Sequence, residues 1–114
     1  MIARVWQART SGPRTTEEYR RVFQTEVLTS LRGIEGFRGA YLLARSDGDA
    51  VGIETVTLFE SLDAVRSFAG KGYEREHVTP AARAVLLDSD PLIRHFDVLT
   101  AYRTGEDQGS SLTS

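Results

Sequence analysis

The chain has 114 residues, 40% of them hydrophobic and 26% charged, which is the make-up of one globular domain with a single small core. A net charge of −2 gives no electrostatic reason to expect nucleic acid or an anionic membrane as partner, and no apolar run approaches the roughly 18 residues a membrane span needs. The absence of cysteine excludes disulfides, thiolate nucleophiles and zinc–sulfur sites. Lys71 is the one lysine among 14 basic residues, the bias of a GC-rich bacterial genome. A strand begins at once at Ile2 with no charged-then-apolar segment before it, so a cytoplasmic location is expected.

Residues 2–9 read as a strand, short and β-favouring, stopped by Ser11-Gly12-Pro13. Period two puts Ile2, Arg4, Trp6 and Ala8 on one face, with Ala3, Val5 and Gln7 on the other. Apolar groups on both faces mark a central strand. Thr15-Thr16-Glu17-Glu18 fits a capping box with Thr15 as N-cap. Tyr19, Val22, Phe23, Val27 and Leu31 then form one helical stripe, with Gly33 as a left-handed C-cap and Ile34 folding back on the last turn.

Two strands, 36–45 and 50–60, flank the hairpin signal Ser46-Asp47-Gly48-Asp49. Alternation sets Phe37, Gly39, Tyr41 and Leu43 against Ala40, Leu42 and Ala44 in the first. In the second it sets Ile53, Thr55, Thr57 and Phe59 against Glu54, Val56 and Leu58. A second helix starts at Ser61, carries Leu62, Val65 and Phe68, and stops at Gly70. Residues 71–78 are polar and irregular. Thr79-Pro80 opens a short third helix with Ala84, Val85 and Leu87 on its apolar side, and Asp88-Ser89-Asp90-Pro91 breaks it. The last strand is expected over 92–102. The domain then spans 1–103, and 104–114 is a Gly/Ser/acidic tail expected to be disordered.

Right-handed crossovers in each half and a hairpin between them give an α+β, ferredoxin-like βαββαβ fold, a four-stranded antiparallel sheet with helices on one face. The other face keeps bulky apolar side chains. A second copy packed face to face covers it most economically, which makes a homodimer the expected assembly.

The candidate site residues have two readings each. Trp6 and Tyr41 line a pocket or are ordinary packed aromatics. Arg4, on the Trp6 face, grips a carboxylate or phenolate, or else forms an inter-subunit or intrachain ion pair with an acidic residue. His95 and Asp97 share a face at i, i+2, so the carboxylate would orient the ring and raise its basicity, either for catalysis or for an interface hydrogen bond. Glu74-x-x-His77 has metal-ligand spacing on a helix but lacks a second pair, so no metal site is expected. His77 sits at the rim, as an acid–base or ligand contact or as a plain surface residue. No Gly-rich phosphate loop, nucleophile elbow or basic–aromatic nucleic-acid pattern is present.

Ile34-Glu35-Gly36-Phe37-Arg38-Gly39-Ala40-Tyr41 and Thr57-Leu58-Phe59-Glu60-Ser61-Leu62-Asp63-Ala64-Val65-Arg66-Ser67-Phe68 carry a family resemblance. They resemble the "helix, then P-G-F/Y, then strand" and "W-E-S-x-x-A-x-x-F" signatures of the antibiotic biosynthesis monooxygenase-like family, within the dimeric α/β barrel superfamily. The similar layout runs from Met1 to about Tyr102. The resemblance implies a homodimeric barrel whose subunits each hold an aromatic or similarly apolar metabolite, oxidised with no metal or other cofactor. Its cofactor-free oxidases use an Asn, a Trp and a Tyr at positions that are Thr55, Phe59 and Val65 here. Haem-degrading relatives use an Asn, a Trp and a helical His; the Trp again falls at Phe59, and the first strand offers Gln7. The expectation is therefore either a monooxygenase-like enzyme or a non-catalytic ligand-binding or stress-associated barrel. His77 and His95 are the acid–base candidates, and Arg4, Trp6, Tyr41, Thr55 and Phe59 the ligand contacts.

Overall fold

The computed structural model describes residues 1–104, so nearly all of the expected tail lies outside the described residues. Strand β1 (Ile2–Thr10) is central, as its two apolar faces imply. On one side it pairs with β3 (Ala50–Phe59), which pairs in turn with β2 (Phe37–Asp47). On the other side lie β4 (Asp88–Ser89) and β5 (Arg94–Asp97), which share one edge position. Every pairing is antiparallel, and the sheet is four positions wide, as expected. The β2–β3 hairpin turns on Gly48-Asp49, with Gly48 at φ 63, a conformation that glycine adopts without strain. No helix among the described residues is long and apolar enough to cross a membrane.

The first helix departs from its expected start. It begins at Pro13, whose fixed φ and missing N–H suit the first helical position. Thr15 is therefore inside the helix, where its Oγ1 accepts hydrogen bonds from the Gly12 and Ser11 amides at 3.2 and 3.1 Å. The helix runs as α1 (Pro13–Val22), a π turn (Phe23–Val27) and α2 (Leu28–Arg32). A π turn holds one extra residue, which rotates everything after it, and such turns often mark functional sites.

Gly33, at φ −86, is not a left-handed cap. The left-handed glycine is Gly36 at φ 95, where a Cβ would lie 2.9 Å from the Ala64 Cβ. That close approach seats the start of β2 against α3 (Leu62–Ala69), and the Glu60 amide donates to the Gly36 carbonyl at 2.7 Å. A bulge follows: Phe37 faces Phe59 and Gly39 faces Leu58, with Arg38 between them unpaired. The bulge moves Phe37 to the helix-covered side, away from Tyr41 and Leu43.

Ser61 and Thr79 cap α3 and α4 (Pro80–Val85), accepting from the Ala64 and Ala82 amides at 3.2 and 3.3 Å. The last strand is shorter than the expected 92–102. The breaker 88–91 itself supplies β4, because Arg9 holds Asp88 from the neighbouring strand through Nη2 and Oδ2, 2.5 Å apart. The Val98 amide donates to the Met1 carbonyl at 2.9 Å, and beyond it Leu99 (92% exposed) and Tyr102 leave the sheet.

The helices bury two clusters on one sheet face. One joins Trp6, Ala8, Tyr19, Phe23, Ile53, Ala82 and Ile93; the other joins Leu31, Phe59, Ala64 and Val65. The opposite face keeps the apolar patch the sequence implied. The register sets Ala3 beside Phe96 and Leu58, and Val56 beside Val5 and Tyr41.

Candidate functional site

A cavity of about 100 Å³ lies between the sheet and the helices. Its floor is Arg4 and Trp6 of β1 with Thr55 and Thr57 of β3, neighbours because the register sets Trp6 opposite Thr55 and Arg4 opposite Thr57. Tyr19, Val22, Phe23 and Val27 reach it from the first helix. The π turn brings Phe23 and Val27 over the same space. Phe68 closes one side, and His77, Val78 and Thr79 form the rim.

Arg4 is the unusual group. It is 6% exposed, yet no carboxylate among the described residues pairs with it; the ion pairs form elsewhere, as in Arg9–Asp88 and Arg38–Glu60. An intrachain ion pair, one form of the alternative reading of Arg4, is thus not formed among the described residues. Nη1 donates to the Tyr73 carbonyl at 2.6 Å and lies 3.0 Å from His95 Nε2, while Phe68 stacks under the guanidinium at 5.7 Å. Nε and Nη2 bond to no other described residue. Burial draws the guanidinium down to a pKa of about 10, so it stays cationic at neutral pH.

Guanidinium has only donors, so His95 Nε2 must accept and the ring is neutral with its proton on Nδ1. Burial first, then the Arg4 charge, holds the ring below the ordinary histidine range, with Glu74 opposing. This corrects the expectation for His95. Asp97 does not hydrogen-bond it, and its basicity is lowered where the i, i+2 spacing implied a rise.

Trp6 is anchored at its polar end: Nε1 donates to the Asp90 carbonyl at 3.0 Å and reaches Glu76 Oε1 at 3.3 Å. The expected breaker and the irregular rim are therefore tied to the floor of the cavity. His77 is exposed and lines the rim. The Glu74-x-x-His77 spacing runs from a turn into irregular chain and not along a helix, and no described group of three or more His, Asp or Glu could hold a metal ion.

Two expected contacts lie elsewhere. Tyr41 is 57% exposed on the opposite sheet face, because the bulge at Phe37 leaves Ala40 and Leu42, not Tyr41, facing the helices. Phe59 is fully buried in the second cluster between Phe37 and Phe68, at ring distances of 6.0 and 5.8 Å. It packs the core and does not line the cavity.

Tyr19 is the residue that sequence reasoning missed. It reads as one more member of an apolar stripe, yet its hydroxyl has no hydrogen-bond partner among the described residues although the residue is buried. Burial pushes the phenol well above its ordinary range, so it remains a neutral donor and acceptor. The available signal is the hydroxyl itself, the one polar atom on that stripe.

No family model matches the chain, and no curated protein does. Solved structures match in fold. SnoaB, a cofactor-independent oxygenase from Streptomyces nogalater, is 21% identical with a TM-score of 0.61, covering 88% of this chain and 94% of its own. The ActVA-Orf6 monooxygenase of Streptomyces coelicolor, in complex with nanaomycin D, is 18% identical with a TM-score of 0.63 over 90% of each chain. A variant of MhuD with two manganese protoporphyrin IX molecules per active site is 18% identical with a TM-score of 0.61, over 90% of this chain and 99% of its own. The chain has the ferredoxin-like fold of the antibiotic biosynthesis monooxygenase structures.

Proposed function

We propose that the chain is a cytoplasmic, homodimeric barrel of the antibiotic biosynthesis monooxygenase kind that takes an aromatic or apolar metabolite beneath the π turn and oxygenates it without a resident cofactor. One observation carries the reading. Arg4 and Tyr19 have polar groups with no partner among the described residues, set against a largely apolar cavity, whereas buried polar groups in a purely structural core are paired. A ligand supplies the missing partners. Arg4 favours the anionic form of a bound acid, phenol or enol, and for a phenol or enol that is the form from which dioxygen most readily takes electrons. His77 faces the same cavity and is the base for that proton, since His95 Nε2 is engaged by Arg4. A cavity of about 100 Å³ is too small for a macrocycle such as the porphyrin in MhuD.

The homodimer rests on the apolar face opposite the helices, where Tyr41, Leu43 and Phe96 are exposed. Covering it should bury well over about 1,000 Å². Sedimentation at micromolar concentration should show a dimer; a clean monomer removes this part of the reading.

Dioxygen uptake with a panel of phenols, enols and aromatic acids tests the activity, with His77→Ala as control. Uptake on at least one member, reduced in the variant, is expected. Binding without uptake favours a non-catalytic barrel. The position of Phe59 supports that second reading, because its ring is sealed in the core away from the cavity.

A further inference from the structure

We propose that the cavity is built for a small monocarboxylate, its two oxygens gripped by Nε and Nη2 of Arg4 and its short apolar body lying against Val22, Phe23 and Phe68. The inference rests on the reading of this cavity as a small-molecule site and names the class of ligand.

The charge argument comes first. A cation held out of water is costly unless it is paired, and Arg4 is buried with no acidic side chain paired to it among the described residues. The missing counter-charge is therefore expected from the ligand. The guanidinium is already oriented: Nη1 is spent on the Tyr73 carbonyl and His95, and Phe68 supports the plane from one side. What remains is a fork of two donors on one edge, Nε and Nη2, the geometry that a carboxylate meets with two parallel hydrogen bonds.

Other anions fit less well. A phenolate offers a single oxygen to two donors. A phosphate dianion carries more charge than one guanidinium balances, and no second Lys or Arg among the described residues lines the cavity. Apart from Thr55 and Thr57 on the floor and His77 and Thr79 at the rim, the walls are apolar, which favours a largely apolar body for the rest of the ligand. Tyr19 supplies one further polar contact, for a hydroxyl or carbonyl oxygen on that body.

Size limits the body. The cavity holds about 100 Å³, below the range of about 300–1,000 Å³ found for sites of drug-sized ligands and below the roughly 150 Å³ that encloses one benzene ring, so a single bound ring fills it and reaches the rim at His77. A ligand no larger than a single ring is the match, and fused rings are excluded.

Isothermal calorimetry with benzoate as the probe tests this, with benzamide, phenol, phenyl phosphate and 2-naphthoate as comparators. Benzoate should bind, and each comparator should bind at least about tenfold more weakly. Arg4→Met should abolish benzoate binding, and Arg4→Lys should weaken it by at least about tenfold. Benzamide or phenol binding as tightly as benzoate, or benzoate binding that survives Arg4→Met, overturns the carboxylate assignment while leaving a small-molecule site in place. Failure of every probe at millimolar concentration overturns both.

Discussion

The two ends of the helix-covered core follow different rules. Around Phe59, the rings of Phe37 and Phe68 close in, and Leu31 and Val65 are fully buried. Around Arg4 the same sheet and helices enclose a cavity with a cation and a tyrosine hydroxyl that find no carboxylate and no hydrogen-bond partner, respectively, among the described residues. The first arrangement is what apolar burial favours. The second costs stability unless something else occupies it. One end thus holds the fold together, and the other is kept open by a helix whose π turn breaks the regular stripe.

The sharpest break in that comparison is Phe59→Ala, which leaves a cavity in a site with no room to relax. It should cost about 3–5 kcal/mol in chemical denaturation, a large part of the roughly 5–15 kcal/mol available to a domain. A loss below about 1 kcal/mol would show that this end is not the anchor.

Gly36→Ala acts at the same end by a different route. The new Cβ would lie 2.9 Å from that of Ala64, at φ 95, so a loss of about 1–3 kcal/mol is expected from the denaturation midpoint. An unchanged midpoint would mean the turn re-forms without strain.

At the open end, pH supplies the next test. His95 has a depressed pKa in the folded chain, so below about 6.5 the unfolded chain binds more protons than the folded one. Stability should therefore be full above that pH and fall as pH drops from it through the folded value. His95→Gln keeps a side-chain acceptor for Arg4 and should flatten this part of the profile. An identical slope in the variant would assign the titration to other groups.

The smallest effect belongs to His77→Ala, which should change stability by less than about 1 kcal/mol while altering benzoate affinity or dioxygen uptake. No change in either functional measurement would reduce His77 to a surface residue.

Much of this contrast is legible in the amino-acid sequence. Period two in β1 places Arg4 and Trp6 on one face, the Asp-Gly hairpin is in the chain, and the apolar outer face follows from both. The failures have physical causes. A stripe spaced at three and four residues cannot reveal a π turn at 23–27, and alternation cannot reveal the bulge that moves Phe37 across the sheet and leaves Tyr41 outside. The short strand at Asp88 depends on a cross-strand partner, Arg9, that is 79 positions away. Tyr19 is hidden by its neighbours, since burial alone does not say whether a hydroxyl finds a partner.

The central claim is that Arg4 is present for a ligand and not for the fold. Arg4→Met tests it in one pair of measurements, since methionine fills the space without the charge. The denaturation midpoint should stay the same or rise, because an uncompensated buried cation has been removed, and benzoate binding should disappear. A loss of more than about 3 kcal/mol, with benzoate binding retained, would make the guanidinium a structural group and contradict the account.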